Sequence, residues 1–424
     1  MTHDVARQAF TWIESVAVPA DGGLSWLEAG ERFDDLYAGT AGVLLGCAEA
    51  TAALSAGDGP AETATGGGMA ARPGSGLGRV AADARNRLVH LARNEPDATT
   101  MPDDGVFGGW AGVAVALRAW AAVSGDQPAL DAAALVTARI AERLLQRPAD
   151  PARHTDVISG DAGILLTLLD ACDDAPDAVV VQAAHVLADG LVKLAEDRPD
   201  GLHWRMLAGN EHLMPGFSHG TAGVAYTLAA AGNTLHRDDL LDTAVRAADG
   251  LLALGDQPDG WALPLLIPAR PDRPSVNFGW CHGPTGTVRL FALLDTLDPQ
   301  PRWRQAIEAC LQALRDSRLP QRLYPGYWDN VARCCGTAGV GQLLLDRFQA
   351  TGDPALLAWA GTLAADVLAR TVPTPHGVSW SNTEHTRTPP DLPPEPGFMQ
   401  GAAGVASWLA RLAAPTTPPI LPWL

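Results

Sequence analysis

Ser218-His219-Gly220-Thr221-Ala222-Gly223-Val224-Ala225 is one of seven places where the chain repeats a short Gly-x-x-Gly turn ahead of an apolar run. The other six are Gly39-Thr40-Ala41-Gly42, Gly109-Trp110-Ala111-Gly112, Gly160-Asp161-Ala162-Gly163, Gly283-Pro284-Thr285-Gly286, Gly336-Thr337-Ala338-Gly339 and Gly401-Ala402-Ala403-Gly404. Successive turns lie 51 to 70 residues apart over nearly the whole length. One unit type recurring at a near-regular period marks a repeat architecture. A single domain over residues 1–424 is therefore expected, in place of two or three unrelated ones.

Between the turns the apolar residues follow a helical period. Trp303, Ile307, Cys310, Leu311 and Leu314 fall on one face of a 3.6-residue helix. The same pattern is read in Val80, Ala84, Leu88 and Leu91, in Leu241, Val245, Ala248 and Leu252, and in Leu356, Ala360, Leu363 and Val367. After each turn the chain is apolar on most sides, as at Ile164–Leu169 and Val224–Ala231, which predicts buried helices. Each repeat thus reads as an outer amphipathic helix, a loop, a glycine turn and an inner helix. Seven pairs give about 14 helices with no alternating strand pattern, an all-α class. Without obvious polar capping repeats, the simplest stacking is a closed, double-layered α/α toroid, with the glycine turns and their neighbours gathered at one end. Two stretches break the regularity. Residues 57–78 have the composition of a flexible loop, and the proline-rich 373–397 is expected to be an extended loop.

The chain has 424 residues and a formal charge of −18, and Lys193 is its single lysine. No basic stripe exists for nucleic acid to bind. The N-terminus has no secretory pattern, and no uninterrupted apolar stretch of about 18 residues occurs, so a cytoplasmic protein without a transmembrane segment is expected. Six cysteines are too few for a disulfide scaffold. Cys47, Cys172 and Cys310 fall within helical runs and are read as buried thiols.

Cys281, Cys334 and Cys335 stand directly ahead of glycine turns in neighbouring repeats. Zinc takes four tetrahedral ligands, and a catalytic site supplies three from protein and leaves one open. The adjacent Cys334–Cys335 pair, placed at an equivalent repeat position with Cys281, matches that count, with structural thiols the plainer alternative. His282 is a rival ligand; like His219, it could instead act as an acid or base at the rim. A hydrogen-bonded structural histidine is the alternative for His219. Asp156, four residues before Gly160, is either a partner for His219 or a cap of the helix that follows.

Taken together, the seven turns, Trp280-Cys281-His282-Gly283, Cys334-Cys335-Gly336, Ser218-His219-Gly220 and the closing Pro396-Gly397-Phe398-Met399-Gln400-Gly401 resemble the lanthionine synthetase C-like family from about residue 35 to 410. The resemblance implies an α/α toroid holding one zinc ion. Its implied activity is a cyclase that adds peptide cysteine thiols to dehydroalanine or dehydrobutyrine, forming thioether rings. It implies Cys281, Cys334 and Cys335 as metal ligands, in a Cys-Cys-Gly variant, with His219 as general acid/base and Asp156 as its acidic companion. Many members carry a basic residue where this chain has Asn277; Asn277 could donate a hydrogen bond there, or Arg333 could supply the charge. The implied partners are a dehydrated precursor peptide and a separate dehydratase. Addition of glutathione to dehydrated residues is the second enzymatic expectation. A non-catalytic peptide-binding scaffold with structural zinc is the third.

Overall fold

The computed structural model describes residues 1–57, 75–94, 101, 103–147, 153–174, 177–257, 260–321, 330–383 and 389–424. Most of the loop expected at 57–78 lies outside these residues. Among them are fourteen helices that alternate between two roles. The inner helices, each opened by a glycine turn, are α2 (Thr40–Gly57), α4 (Trp110–Ser124), α6 (Asp161–Asp174), α8 (Thr221–Thr234), α10 (Pro284–Leu297), α12 (Thr337–Thr351) and α14 (Ala402–Ala413). The outer helices are α1 (Thr2–Ser15), α3 (Gly76–Asn94), α5 (Gln127–Gln146), α7 (Ala178–Leu194), α9 (Asp238–Gly255), α11 (Pro301–Asp316) and α13 (Pro354–Ala369). No helix among the described residues is long and apolar enough to cross a membrane.

The chain divides into two compact units. Unit 1 comprises Met1–Pro102, Gly108–Val136 and Trp328–Pro422; unit 2 comprises Asp103–Phe107, Thr137–Tyr327 and Trp423–Leu424. In unit 1, α14 packs against α1, α2 and α12, so the last repeat is seated on the first. In unit 2, α8 packs against α6, α9 and α10. Three of the four outer stripes read from sequence are buried as expected, on α3, α11 and α13. On α9 the buried face is Leu240, Ala244, Ala247, Ala248 and Leu251, one residue away from the expected one for all but Ala248. Leucines pair up at 240/241 and 251/252, so two stripes were on offer, and packing on α8 selects one of them.

The glycine turns have a common construction. An α-helix begins with N–H groups that lack an intrahelical acceptor, and none of the inner helices whose N-caps are assigned uses a side chain to meet them. The loop before the turn folds back and offers backbone carbonyls instead. Thr221 N donates to Met214 O and Ala222 N to Pro215 O. Ala41 and Asp34, Asp161 and His154, Thr337 and Asn330, and Ala402 and Glu395 repeat the seven-residue step. That fold-back leaves no room for side chains on the glycines. A Cβ on Gly220 would lie 1.4 Å from Met214 O, and one on Gly223 would lie 2.0 Å from Phe217 O. Two outer helices, α7 and α13, carry ordinary aspartate caps, as where the Asp353 carboxylate accepts from Ala355 N at 2.9 Å. Asp353→Ala is therefore expected to cost only about 1 kcal/mol in urea denaturation.

Short strands occupy the links between outer and inner helices. β1 (Val18–Ala20), β2 (Gly23–Glu28) and β3 (Glu31–Phe33) form an antiparallel sheet. β4 (Glu196–Arg198) pairs with β5 (Gly201–His203), β6 (Asp256–Gln257) with β7 (Gly260–Trp261), β8 (Val372–Thr374) with β9 (Gly377–Ser379), and β10 (Asn382–Thr383) with β11 (Asp391–Leu392). The last two pairs lie in the segment read as an extended proline-rich loop, of which 384–388 fall outside the described residues. Three hairpins share Gly-x-x-Trp: Gly23 to Trp26, Gly201 to Trp204 and Gly377 to Trp380. In each, the buried indole N–H donates to a carbonyl thirteen residues back, on Ile13, Leu191 or Val367, tying the hairpin to the outer helix before it.

Candidate metal centre and acid-base pair

Each turn can be numbered from its first glycine. The residue two positions earlier, joined in the third turn by Val157 three positions earlier, carries the backbone from turn to turn. In unit 2, Ser218 N donates to Cys281 O at 2.8 Å, Val157 N to Ser218 O at 3.1 Å, and Phe107 N to Ile158 O at 3.0 Å. In unit 1, Cys334 N donates to Met399 O and Met399 N to Tyr37 O, both at 2.9 Å. The residue one position earlier is left out of these relays. That position holds His219, His282, Cys335 and Gln400 in four of the seven turns.

In unit 2, Asp156 is fully buried and its carboxylate is divided between two tasks. Oδ1 accepts from Ser159 N at 3.0 Å and shapes the turn, while Oδ2 meets His219 Nδ1 at 2.5 Å. Asp156 is thus the hydrogen-bond partner of His219, and its other oxygen braces the turn ahead of α6 and does not cap that helix, which begins at Asp161. The His219 side chain is 31% exposed, which leaves its ring accessible beside the carboxylate. The His282 ring lies 5.7 Å away, centroid to centroid. His282 also lines a pocket of about 570 Å³ with Met214, Leu265, Leu266, Arg270 and Arg273 among its walls. Cys281 is buried, and the Trp280 before it anchors the turn by donating to Trp423 O at 3.1 Å and packing against Phe107 and Phe217. Asn277 closes the loop through Oδ1, which accepts from Gly279 N at 2.7 Å, and turns its Nδ2 toward Cys281 Sγ at 4.0 Å.

In unit 1, Cys334 and Cys335 place their sulfurs 3.2 Å apart. Gln400 Nε2 donates to Cys335 Sγ at 3.5 Å and to the Tyr37 hydroxyl at 3.1 Å, and that hydroxyl hydrogen-bonds Cys334. Removal from water, then the two sulfurs, hold the Tyr37 phenol well above its ordinary range, so it keeps its proton. Neither Tyr37 nor Gln400 is singled out by sequence reasoning; counting back from each glycine would have placed both beside the cysteines. Arg333 is a different matter. Its buried guanidinium pairs with Glu49 at 3.2 Å, donates to Gln342 Oε1 and lies over the Phe398 ring, so it belongs to the packed frame of unit 1.

Cys334 and Cys335 place two sulfurs side by side in unit 1, and Cys281 stands in unit 2 at the position of its own turn that Cys334 takes in the sixth. The donor set fits zinc. Three thiolates would leave one tetrahedral position open. Cys47 and Cys310 are lone buried thiols, as expected, and burial pushes both well above the usual thiol range. Cys172 is only half-buried.

The family profile described as lanthionine synthetase C-like protein matches residues 69–424. Among solved structures, nisin cyclase superposes over 89% of this chain and 88% of its own, with a TM-score of 0.61 at 15% identity. The Lin0763 protein from Listeria innocua matches 76% of this chain and 88% of its own, with a TM-score of 0.50 at 11% identity. These likenesses show the fold, the all-α, double-layered α/α toroid expected from sequence. A curated sequence, a probable endoglucanase from Novacetimonas hansenii, is 28% identical over 175 residues, or 39% of this chain and 50% of that protein. The chain spans about half the length of that relative.

Proposed function

The chain belongs to the lanthionine synthetase C-like family, and on that premise we propose that it is a zinc-dependent cyclase joining peptide cysteines to dehydroalanine or dehydrobutyrine. The adjacent sulfurs of Cys334 and Cys335, with Cys281 at the matching position of its own turn, carry this reading. Those three side chains would hold the zinc. A thiol with an ordinary pKa near 8.5 is mostly protonated at neutral pH, and zinc in that site would favour its thiolate.

The remaining chemistry falls to the chain's own groups. Addition forms a C–S bond at the β-carbon, breaks the C=C π bond and requires a proton at the α-carbon. His219 is the proposed donor. Its Nδ1 is held by Asp156 Oδ2, so the exchangeable proton is carried at Nε2, on the side of the ring away from the carboxylate. His282 and Asn277 are assigned supporting roles, His282 at the wall of the adjacent pocket and Asn277 as a donor toward Cys281. The proposed substrate is a dehydrated precursor peptide prepared by a separate dehydratase.

Cyclisation leaves the peptide mass unchanged, so the decisive measurement is a thiol count. Incubation with a cysteine-containing dehydrated peptide is expected to remove its free thiols without a mass shift. A glutathione adduct formed in a parallel reaction would identify a small-thiol transferase instead. Intact thiols in both reactions would leave a binding scaffold.

A further inference from the structure

A glutamine carboxamide can face a sulfur with either end, and here the hydrogen-bond network decides which. The chain of partners starts at an obligate donor, the backbone N–H of Ala332, which bonds Asn330 Oδ1 at 2.7 Å. That contact turns the Asn330 amide nitrogen outward, where it donates to Gln400 Oε1 at 3.0 Å. With its oxygen so engaged, Gln400 must present Nε2 to the other side, where Cys335 Sγ and the Tyr37 hydroxyl lie at 3.5 and 3.1 Å. The backbone of Gln400 is fixed independently, since its carbonyl accepts from Asn382 Nδ2 at 3.2 Å while Asn382 Oδ1 accepts from Val331 N at 3.0 Å. The sixth turn is thus gripped by the first through Tyr37 and by the seventh through Gln400. Both grips end on sulfur.

We propose that Gln400, oriented by Asn330 and assisted by Tyr37, is a positioning residue of the metal centre, its N–H holding the Cys335 sulfur in the geometry and electron density that a bound metal requires. The inference rests on the zinc reading above. Donors to thiolate sulfur offset part of the negative charge that three sulfurs concentrate around one dication. Groups bonded behind metal ligands change affinity by about 10- to 100-fold when removed.

The test compares wild type with Gln400→Leu, Gln400→Glu and Tyr37→Phe at pH 8. Zinc affinity is read by chelator competition, and the sulfur-to-metal charge-transfer band is read after loading with Co²⁺ alone; a thermal melt confirms folding. Leucine is expected to weaken zinc binding by about 10- to 100-fold and to shift the cobalt band. Glutamate matches glutamine in shape and still accepts from Asn330, yet turns an anion toward the sulfurs. It should bind more weakly than leucine. Tyr37→Phe should shift the band in the same sense by less. If glutamate binds both metals as wild type does, Gln400 only fills space and the proposal is overturned. Wild type that takes up neither zinc nor cobalt would instead sink the metal reading, and this inference with it.

Discussion

Replacing Cys334 or Cys335 with alanine is expected to remove zinc from the purified protein and to abolish ring formation in the same step. On the zinc reading, each substitution would take away one of three proposed thiolate ligands and leave two. Two sulfurs with solvent do not make a closed tetrahedral shell, so affinity should fall by well over the roughly 100-fold attributed to groups behind the ligands. Cys47→Ala and Cys310→Ala supply the controls. Those thiols are fully buried within helices, and loss of one sulfur atom there should leave the metal content unchanged. Metal analysis on chelator-free preparations reads all four variants. Full zinc content in Cys335→Ala would exclude that residue as a ligand.

The second large effect is expected at the Asp156–His219 pair. His219→Ala should keep zinc and slow ring closure by about 10²- to 10⁴-fold, the range for loss of a positioned acid or base. Asp156→Asn is the sharper probe. Asparagine retains an oxygen for Ser159 N, so the turn survives, but the atom facing His219 becomes an amide nitrogen, which cannot accept from the ring. The imidazole then loses both its orientation and its counter-charge. The double variant should be little slower than His219→Ala alone, because the two residues act as one unit. Additive losses in single-turnover assays would mean that Asp156 acts elsewhere.

Much of this was legible in the sequence, for reasons that can be given residue by residue. The glycines stood out because backbone carbonyls occupy the space where side chains would be, as at Gly220 and Gly223, and no other residue type fits there. The cysteines stood out because their chemistry is rare and their register repeats. The α9 face was misplaced by one residue because doubled leucines make a one-residue rotation nearly neutral until α8 is present. The Gly-x-x-Trp hairpins escaped notice because strands of two to six residues carry almost no periodicity. Their signal is a single indole whose partner lies thirteen residues back. Arg333 shows the same limit from the other side: an arginine next to a cysteine reads as a cation for the site, and only packing reveals Glu49 opposite it. Gln400 and Tyr37 are ordinary residues made significant by their places in the turn register.

That register has a consequence for how such a protein can change. The frame of each turn is made largely from main-chain atoms and excluded glycine side chains, and Ala38 and Ser159, just before the first glycine, enter it through their backbone N–H groups. Ala38, Gly108 and Ser159 occupy this position in three turns, where the others hold His219, His282, Cys335 and Gln400. The fold therefore separates its architecture from its reagents, offering seven sockets of which three hold only small residues. A ligand, acid or base could be fitted to one of those three with little disturbance of the scaffold, giving such a protein room to acquire new chemistry by single substitutions.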